Sequence, residues 1–144
     1  MKKTLILIII SFFFLANANA QDLKVISATK QDWSGGVEGN YGTNYTIVIG
    51  PVSKKIELDS LYTNILGIKL IPGSNVNIDT VQKAYIIYVR VMHTEEDLQY
   101  LDRQPPVIVS DRFNGGGLIL YRFKRKHYSL VVKELQVLEP LAYP

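Results

Sequence analysis

The chain consists largely of short runs of β-branched and aromatic residues that are separated by Gly, Pro and Asn. Within the runs 45–49, 55–59 and 66–71, apolar residues occupy every second position. Successive side chains of a β-strand point to opposite faces, so each run can bury one face in a core. Almost no segment has the period of roughly 3.6 residues that marks an amphipathic helix. The pattern therefore predicts an all-β domain.

The run Ala84–Met92 is the clearest predicted strand. Apolar side chains occupy both of its faces, with Tyr85, Ile87, Val89 and Val91 on one and Ile86, Tyr88 and Met92 on the other. A strand that is apolar on both faces is typical of the centre of a sheet.

Two further elements are predicted after this strand. Thr94 and Asp97 fit the start of a helix of at most two turns, which the prolines at 105 and 106 would end. A hairpin is predicted with arms 118–124 and 127–137 and a turn near residues 125–126. This spacing favours a single antiparallel β-sandwich, immunoglobulin-like in general architecture, over a barrel, although the periodicity is compatible with both.

Glycine is concentrated in the segment 33–44, at positions 35, 36, 39 and 42. Because glycine adopts positive φ angles freely, we expect this segment to be the most flexible loop of the domain. It lacks the Lys-Ser/Thr end of a P-loop and leads into a strand, so it is not interpreted as a phosphate site.

Residues 1–20 have the three parts of a secretory signal peptide: two lysines near the start, an apolar run over 5–16, and Ala-Asn-Ala at 18–20. The apolar run is shorter than the roughly 18 residues that span a bilayer. We therefore expect cleavage before Gln21 and a periplasmic or extracellular protein without a transmembrane segment. The remaining residues, 21–144, are expected to form one β-sandwich domain.

Removal of the leader reduces the basic residues from 16 to 14 against 13 acidic ones, which leaves a net charge of +1. A nearly neutral domain gives no reason to expect nucleic acid as a partner. Cysteine is absent, so thiol chemistry and cysteine-ligated zinc are excluded. No cofactor is expected.

Three stretches of the chain are distinctive: Trp-Ser-Gly-Gly at 33–36 followed by Gly-Thr-Asn-Tyr at 42–45, Gly-Gly-Leu-Ile-Leu-Tyr at 116–121, and Leu-Glu-Pro-Leu-Ala-Tyr-Pro at 138–144. In these stretches the chain resembles functionally uncharacterised small exported proteins of Bacteroidetes-type bacteria. The resemblance covers most of residues 21–144. It implies a location in the cell envelope and assigns no catalytic residue.

His93 precedes three acidic residues, at 95, 96 and 97, and these are side-chain types that zinc accepts. Acidic residues in the first turn of a helix are also explained by the helix dipole, and we favour that interpretation over a metal site. No Gly-x-Ser-x-Gly occurs. Paired carboxylates could form from Asp32, Glu38, Asp59, Asp79, Asp102 and Asp111, although nothing selects a pair.

Basic residues near the chain's end are interleaved with Tyr121, Phe123 and Tyr128; they are Arg122, Lys124, Arg125 and Lys126. Strand alternation places Arg122 and Lys124 on the face opposite Tyr121 and Phe123, which favours an ordinary solvated basic face. Contact with an anionic surface such as lipid is the alternative.

Trp33, Tyr41 and Tyr45 flank the glycine-rich segment and are the candidate binding residues. They either contact a partner or pin the loop to the domain. In the absence of catalytic signatures, we expect a non-catalytic binding or accessory protein of the cell envelope that contacts a protein or glycan through its loops. A small carboxylate-dependent hydrolase of the periplasm is the alternative.

Overall fold

The structure is a computed structural model that describes residues 22–53, 55–63, 67–93 and 116–144. In these residues the chain forms ten β-strands and no helix. The predicted signal peptide and the predicted helix after Thr94 lie outside the described residues. The all-β prediction is confirmed for the part of the chain that the structure describes.

The strands form two sheets. The first contains β1 (Lys24–Ser34), β2 (Tyr41–Gly50), β5 (Val76–Asp79), β6 (Ala84–Met92), β9 (Gln136–Val137) and β10 (Leu141–Ala142). Its order is β10-β1-β2-β6-β5, and β9 also pairs with β1. The second contains β3 (Ile56–Tyr62), β4 (Gly67–Lys69), β7 (Gly117–Phe123) and β8 (Lys126–Val132), in the order β4-β3-β7-β8.

Buried residues of the two sheets form one hydrophobic cluster. The first sheet contributes the predicted inward face of β2, which is Tyr45, Ile47 and Ile49, together with alternate residues of β6. As expected, β6 is an interior strand, because it pairs with β2 on one side and β5 on the other. Its second face is not covered, since Tyr88 and Met92 on that face are exposed.

The hairpin of β7 and β8 is present, but its turn lies at Lys124 and Arg125, one residue earlier than expected. Both turn residues have positive φ angles, 49° and 66°. Two successive positive φ angles define a type I′ turn, which usually contains Asn-Gly. The dipeptide Lys-Arg does not indicate a type I′ turn, so the register of this hairpin could not be predicted from the sequence.

The second arm of the hairpin ends at Val132 rather than at residue 137. The chain then leaves the second sheet, and β9 and β10 pair with β1 of the first sheet in parallel. The two sheets are mainly antiparallel, as predicted, and the pairings of β9 and β10 with β1 are parallel. The tail follows β1 because its backbone amides bond there, from Leu138 to the carbonyl of Lys30 and from Tyr143 to that of Ser34.

The glycine-rich loop is shorter than predicted and covers residues 35–40. Trp33 lies in β1, and Tyr41 and Tyr45 lie in β2, because the ladder between these strands continues to the pair Ser34 and Tyr41. The three aromatic residues are therefore strand residues. No helix in the described residues is long and apolar enough to cross a membrane.

Candidate functional site

An apolar groove with a volume of about 850 Å³ lies between the two sheets, and we call it the flank groove. Its floor consists of buried core residues of both sheets, namely Ile56, Leu58, Leu70, Val76 and Tyr85. A volume of this size lies in the range of roughly 300–1,000 Å³ that holds small molecules in proteins.

The flank groove exists because β4 is shorter than its neighbour β3. β4 pairs only with residues 60–62 of β3, and the preceding residues, 56–59, line the groove instead. The opposite wall is the edge strand β5, where Ile78 lines the groove with 56% of its surface exposed. Exposed Ile78 extends the apolar surface from the floor to the β5 side of the rim.

Polar groups of the flank groove are largely satisfied by the protein itself. The hydroxyl of Tyr85 donates to the carbonyl of Ser53 and accepts from the amide of Ser53 at 3.1 Å. On the rim, Arg122 Nη2 lies 2.6 Å from Glu57 Oε2. A ligand in the groove would therefore meet mainly apolar surface, with the Arg122–Glu57 pair and the charged side chains of Asp59 and Lys69 at its edge.

Arg122 lies where strand alternation placed it, whereas Lys124, expected on the same strand face, lies in the turn after β7. Arg122 is exposed, whereas Phe123 is buried in the core. Lys124, Arg125 and Lys126 are exposed at the tip of the hairpin, and we call these three residues the cationic turn. The cationic turn follows directly after β7, whose Arg122 lines the flank groove.

Two of the three candidate binding aromatics are buried. Trp33 is 3% exposed and Tyr45 is 5% exposed, whereas Tyr41 is 45% exposed. Trp33 packs edge-on against Tyr143 of the tail at a centroid distance of 6.3 Å, and Arg90 covers its face. These contacts favour the pinning alternative for Trp33 and Tyr45 and leave Tyr41 as the exposed member of the set.

A hydrogen-bonded cluster joins Asp32, Thr43 and His93 at the end of the first sheet. The hydroxyl of Thr43 donates to Asp32 Oδ1 at 2.8 Å and lies 3.1 Å from His93 Nε2. A hydroxyl has one hydrogen, so Thr43 must accept from Nε2–H of His93. In a nucleophilic triad the hydroxyl instead donates to the histidine. The order of hydrogen bonds in this cluster therefore differs from that of a Ser-His-Asp triad.

Of the other acidic residues considered as paired catalytic carboxylates, those within the described residues lie in separate places. Asp79 accepts the amides of Val81 and Gln82 and so closes the turn between β5 and β6. Asp59 lies on the rim of the flank groove. Asp102 and Asp111 lie outside the described residues. Within the described ranges, no three His, Asp or Glu side chains come together in a way that could hold a metal ion.

The flank groove is the feature that sequence reasoning missed. Its walls come from the connections between sheets, from the edges of β3 and β5, and from one residue of β7. Each contributing residue has an ordinary core or rim pattern within its own segment, and only the length difference between β3 and β4 creates the opening. No local motif signals such a difference.

Comparison of the chain with protein-family models, with curated proteins and with solved structures finds no match. The functional argument therefore starts from the flank groove, the cationic turn and the Asp32, Thr43 and His93 cluster.

Proposed function

We propose that this chain is a non-catalytic exported binding or accessory protein of the cell envelope, with an immunoglobulin-like β-sandwich fold, and that it holds an apolar group of its ligand in the flank groove. The observation that carries the proposal is the groove itself, an opening of about 850 Å³ with an apolar floor and an apolar rim residue. Concave, mainly apolar sites of this volume are the usual form of a ligand site.

The alternative of a periplasmic hydrolase has less support. In the described residues, Asp32, Thr43 and His93 bring a hydroxyl, a histidine and a carboxylate together, but the hydroxyl donates to the carboxylate and not to the histidine, unlike in a Ser-His-Asp triad. The acidic residues of the flank groove, Glu57 and Asp59, accompany Arg122 and Lys69 on the rim. Nothing in that arrangement distinguishes an acid from a base.

The flank groove also replaces the loop as the proposed contact surface. The expectation of a protein or glycan bound through loops depended on three aromatic residues, two of which are buried. An apolar group suits the groove better than a glycan, because sugar hydroxyls buried against its floor would lose their hydrogen bonds to water.

The exported location rests on the signal-peptide pattern of residues 1–20. Mass spectrometry of protein from the cell envelope should find Gln21 as the first residue. Mature protein that retains residues 1–20 would contradict export by cleavage.

Binding can be tested with N-phenyl-1-naphthylamine, an uncharged apolar dye that fluoresces in apolar surroundings. We expect the purified protein to bind it and Ile78→Asp to bind it more than tenfold more weakly, because a carboxylate on the rim must be desolvated when the dye enters. Ile78→Gln serves as a second, uncharged variant.

Val81→Asp is the matched control, since Val81 is 90% exposed in the neighbouring turn and does not line the groove. It should bind the dye like the wild type. Absence of dye binding, or equal binding by all four proteins, would refute the groove as the site.

A further inference from the structure

We propose that the ligand of the flank groove is an anionic amphiphile, an inference that rests on the proposed function. Its apolar chain lies in the groove and its anionic group at the cationic turn of Lys124, Arg125 and Lys126. The groove and the turn are separate features that the fold places side by side. Together they match a ligand that is apolar at one end and negatively charged at the other.

The strand register shows how close the two features are. Phe123, the last residue of β7, pairs with Ile56, which belongs to the floor of the groove. Lys124 follows Phe123 directly, and Lys126 pairs with Phe123 across the hairpin. At about 3.3 Å per residue, the cationic turn begins within one or two residues of the groove's Ile56 end. This distance is short compared with an acyl chain.

The charges around this end of the groove are unbalanced. Arg122 is neutralised by Glu57 at 2.6 Å, whereas no ion pair involves Lys124, Arg125 or Lys126 within the described residues. The chain after removal of its leader carries a net charge of only +1, so these three charges form a local concentration rather than a general property. A cluster of cations raises the local concentration of anions.

The backbone of the turn gives a second, independent argument. Lys124 and Arg125 have φ angles of 49° and 66°, a region that side chains other than Gly, Asn and Asp occupy at a cost. Asn-Gly would form the same type I′ turn with less strain. Strain retained at charged residues beside a ligand-sized groove is typical of a functional position.

The test compares two dyes that share one ring system. N-phenyl-1-naphthylamine is neutral, and 8-anilino-1-naphthalenesulfonate adds a sulfonate. The variant Lys124→Asn with Arg125→Gly keeps the turn type and removes two charges. At about 0.01 M salt we expect it to bind the sulfonate dye about fivefold more weakly, which is ~1 kcal/mol. Binding of the neutral dye should stay within twofold, and the melting temperature should not fall.

The matched control removes two cations elsewhere, by Lys30→Gln with Lys133→Gln, since neither residue lines the flank groove. It should leave the binding of both dyes unchanged. The difference between the turn variant and this control should shrink as salt is added, because the Debye length falls from roughly 30 Å to 8 Å at physiological ionic strength.

Natural ligand chemistry is then tested by displacement of the sulfonate dye. Decanoate should displace it, whereas decyltrimethylammonium, with the same chain length and opposite charge, should displace it at least fivefold less well. Inorganic phosphate alone should not displace it, because it has no apolar chain. Displacement by phosphate would instead indicate a simple anion site at the turn and overturn the proposal.

Failure of this inference can be told apart from failure of the proposed function. If Ile78→Asp weakens the binding of both dyes and the turn variant changes the binding of neither, the groove binds apolar groups without a preference for anions. The inference is then wrong. If Ile78→Asp changes the binding of neither dye, the groove is not the binding site and both proposals fail.

Discussion

The guanidinium of Arg90 lies 4.0 Å from the centroid of the Trp33 ring, on the face of the first sheet that points away from the core. A cation stacked on an indole stabilises the arrangement by roughly 0.5–2 kcal/mol. Tyr143 packs against the same ring from the C-terminal tail, so one buried indole joins β1, β6 and the tail. The indole acts as a structural pin, and this determines what its removal should do.

Trp33→Ala should lower the free energy of unfolding by about 3–5 kcal/mol, the range for removal of a large buried aromatic side chain. For a domain of this size the melting temperature should fall by roughly 10 °C or more. Tyr41→Ala is the control, because Tyr41 is 45% exposed and its loss should cost less than about 1 kcal/mol. Thermal denaturation of both variants measures the two melting temperatures. Equal, small decreases in melting temperature would contradict the pinning role of Trp33.

Gly42 lies directly under this indole, and a methyl group there would overlap both the Trp33 ring and the carbonyl oxygen of Val91. The neighbouring atoms cannot yield easily, since one belongs to the backbone of β6. Gly42→Ala should therefore destabilise the protein by more than about 2 kcal/mol. Gly39→Ala offers a contrast, because a methyl group there meets no atom within 4 Å and only its φ of 84° opposes the change.

Urea denaturation should give a loss of about 1–2 kcal/mol for Gly39→Ala, from left-handed backbone strain alone. A smaller loss for Gly42→Ala than for Gly39→Ala would mean that the indole does not pack on β2 as described.

Thr43→Val tests the cluster of Asp32, Thr43 and His93. The hydroxyl connects two groups that are not fully buried, so its removal should cost about 0.5–1.5 kcal/mol of stability. His93→Ala should leave any bound metal and any hydrolytic activity unchanged, in line with the hydrogen-bond order of the cluster. Metal analysis and assays on peptide and glycan substrates provide the measurement. Stoichiometric metal, or turnover lost on either substitution, would favour the hydrolase.

Alternation allowed the centre of the first sheet to be predicted, because residues 45–49 of β2 and 85–89 of β6 bury every second side chain. β1 escaped prediction, since its sequence, KVISATKQDWS, has few apolar residues and most of them are not fully buried. In β3 a bulge between Leu58 and Ser60 changes the phase, so that Leu61 is buried. The extra residue of a β-bulge cannot be recognised from the alternation of apolar and polar residues.

The path of the C-terminal tail could not be predicted from the local sequence either. Residues 127–137 look like one continuous arm, yet the chain leaves the second sheet after Val132 and joins β1 in parallel. The contacts that draw it there, with Trp33 and Ser34, come from residues about a hundred positions earlier in the chain. The flank groove likewise depends on the relative lengths of β3 and β4, which only the assembled sheet reveals.

The pH dependence of stability should reflect two tyrosines whose phenols are held protonated by the fold. Burial raises the pKa of Tyr45 above its ordinary value, with a smaller opposing effect from its hydrogen bond to Thr63 and a small upward effect from Asp32. Burial also raises the pKa of Tyr121, helped by the neighbouring Tyr128. In the unfolded chain both phenols lose their protons near pH 10.

Because the folded state retains these protons at a pH where the unfolded chain has released them, the stabilisation is complete below about pH 10 and is lost as the pH rises through the folded pKa values. We expect the free energy of unfolding to fall with pH above about 10, and Tyr45→Phe to make that fall shallower even if it weakens the protein at neutral pH. Tyr41→Phe is the matched control, since it makes the same chemical change at an exposed position. Urea titrations between about pH 8 and 11 measure the slope. An unchanged slope in Tyr45→Phe would mean that the phenol ionises equally well in the folded and unfolded states, which is incompatible with its burial in the core.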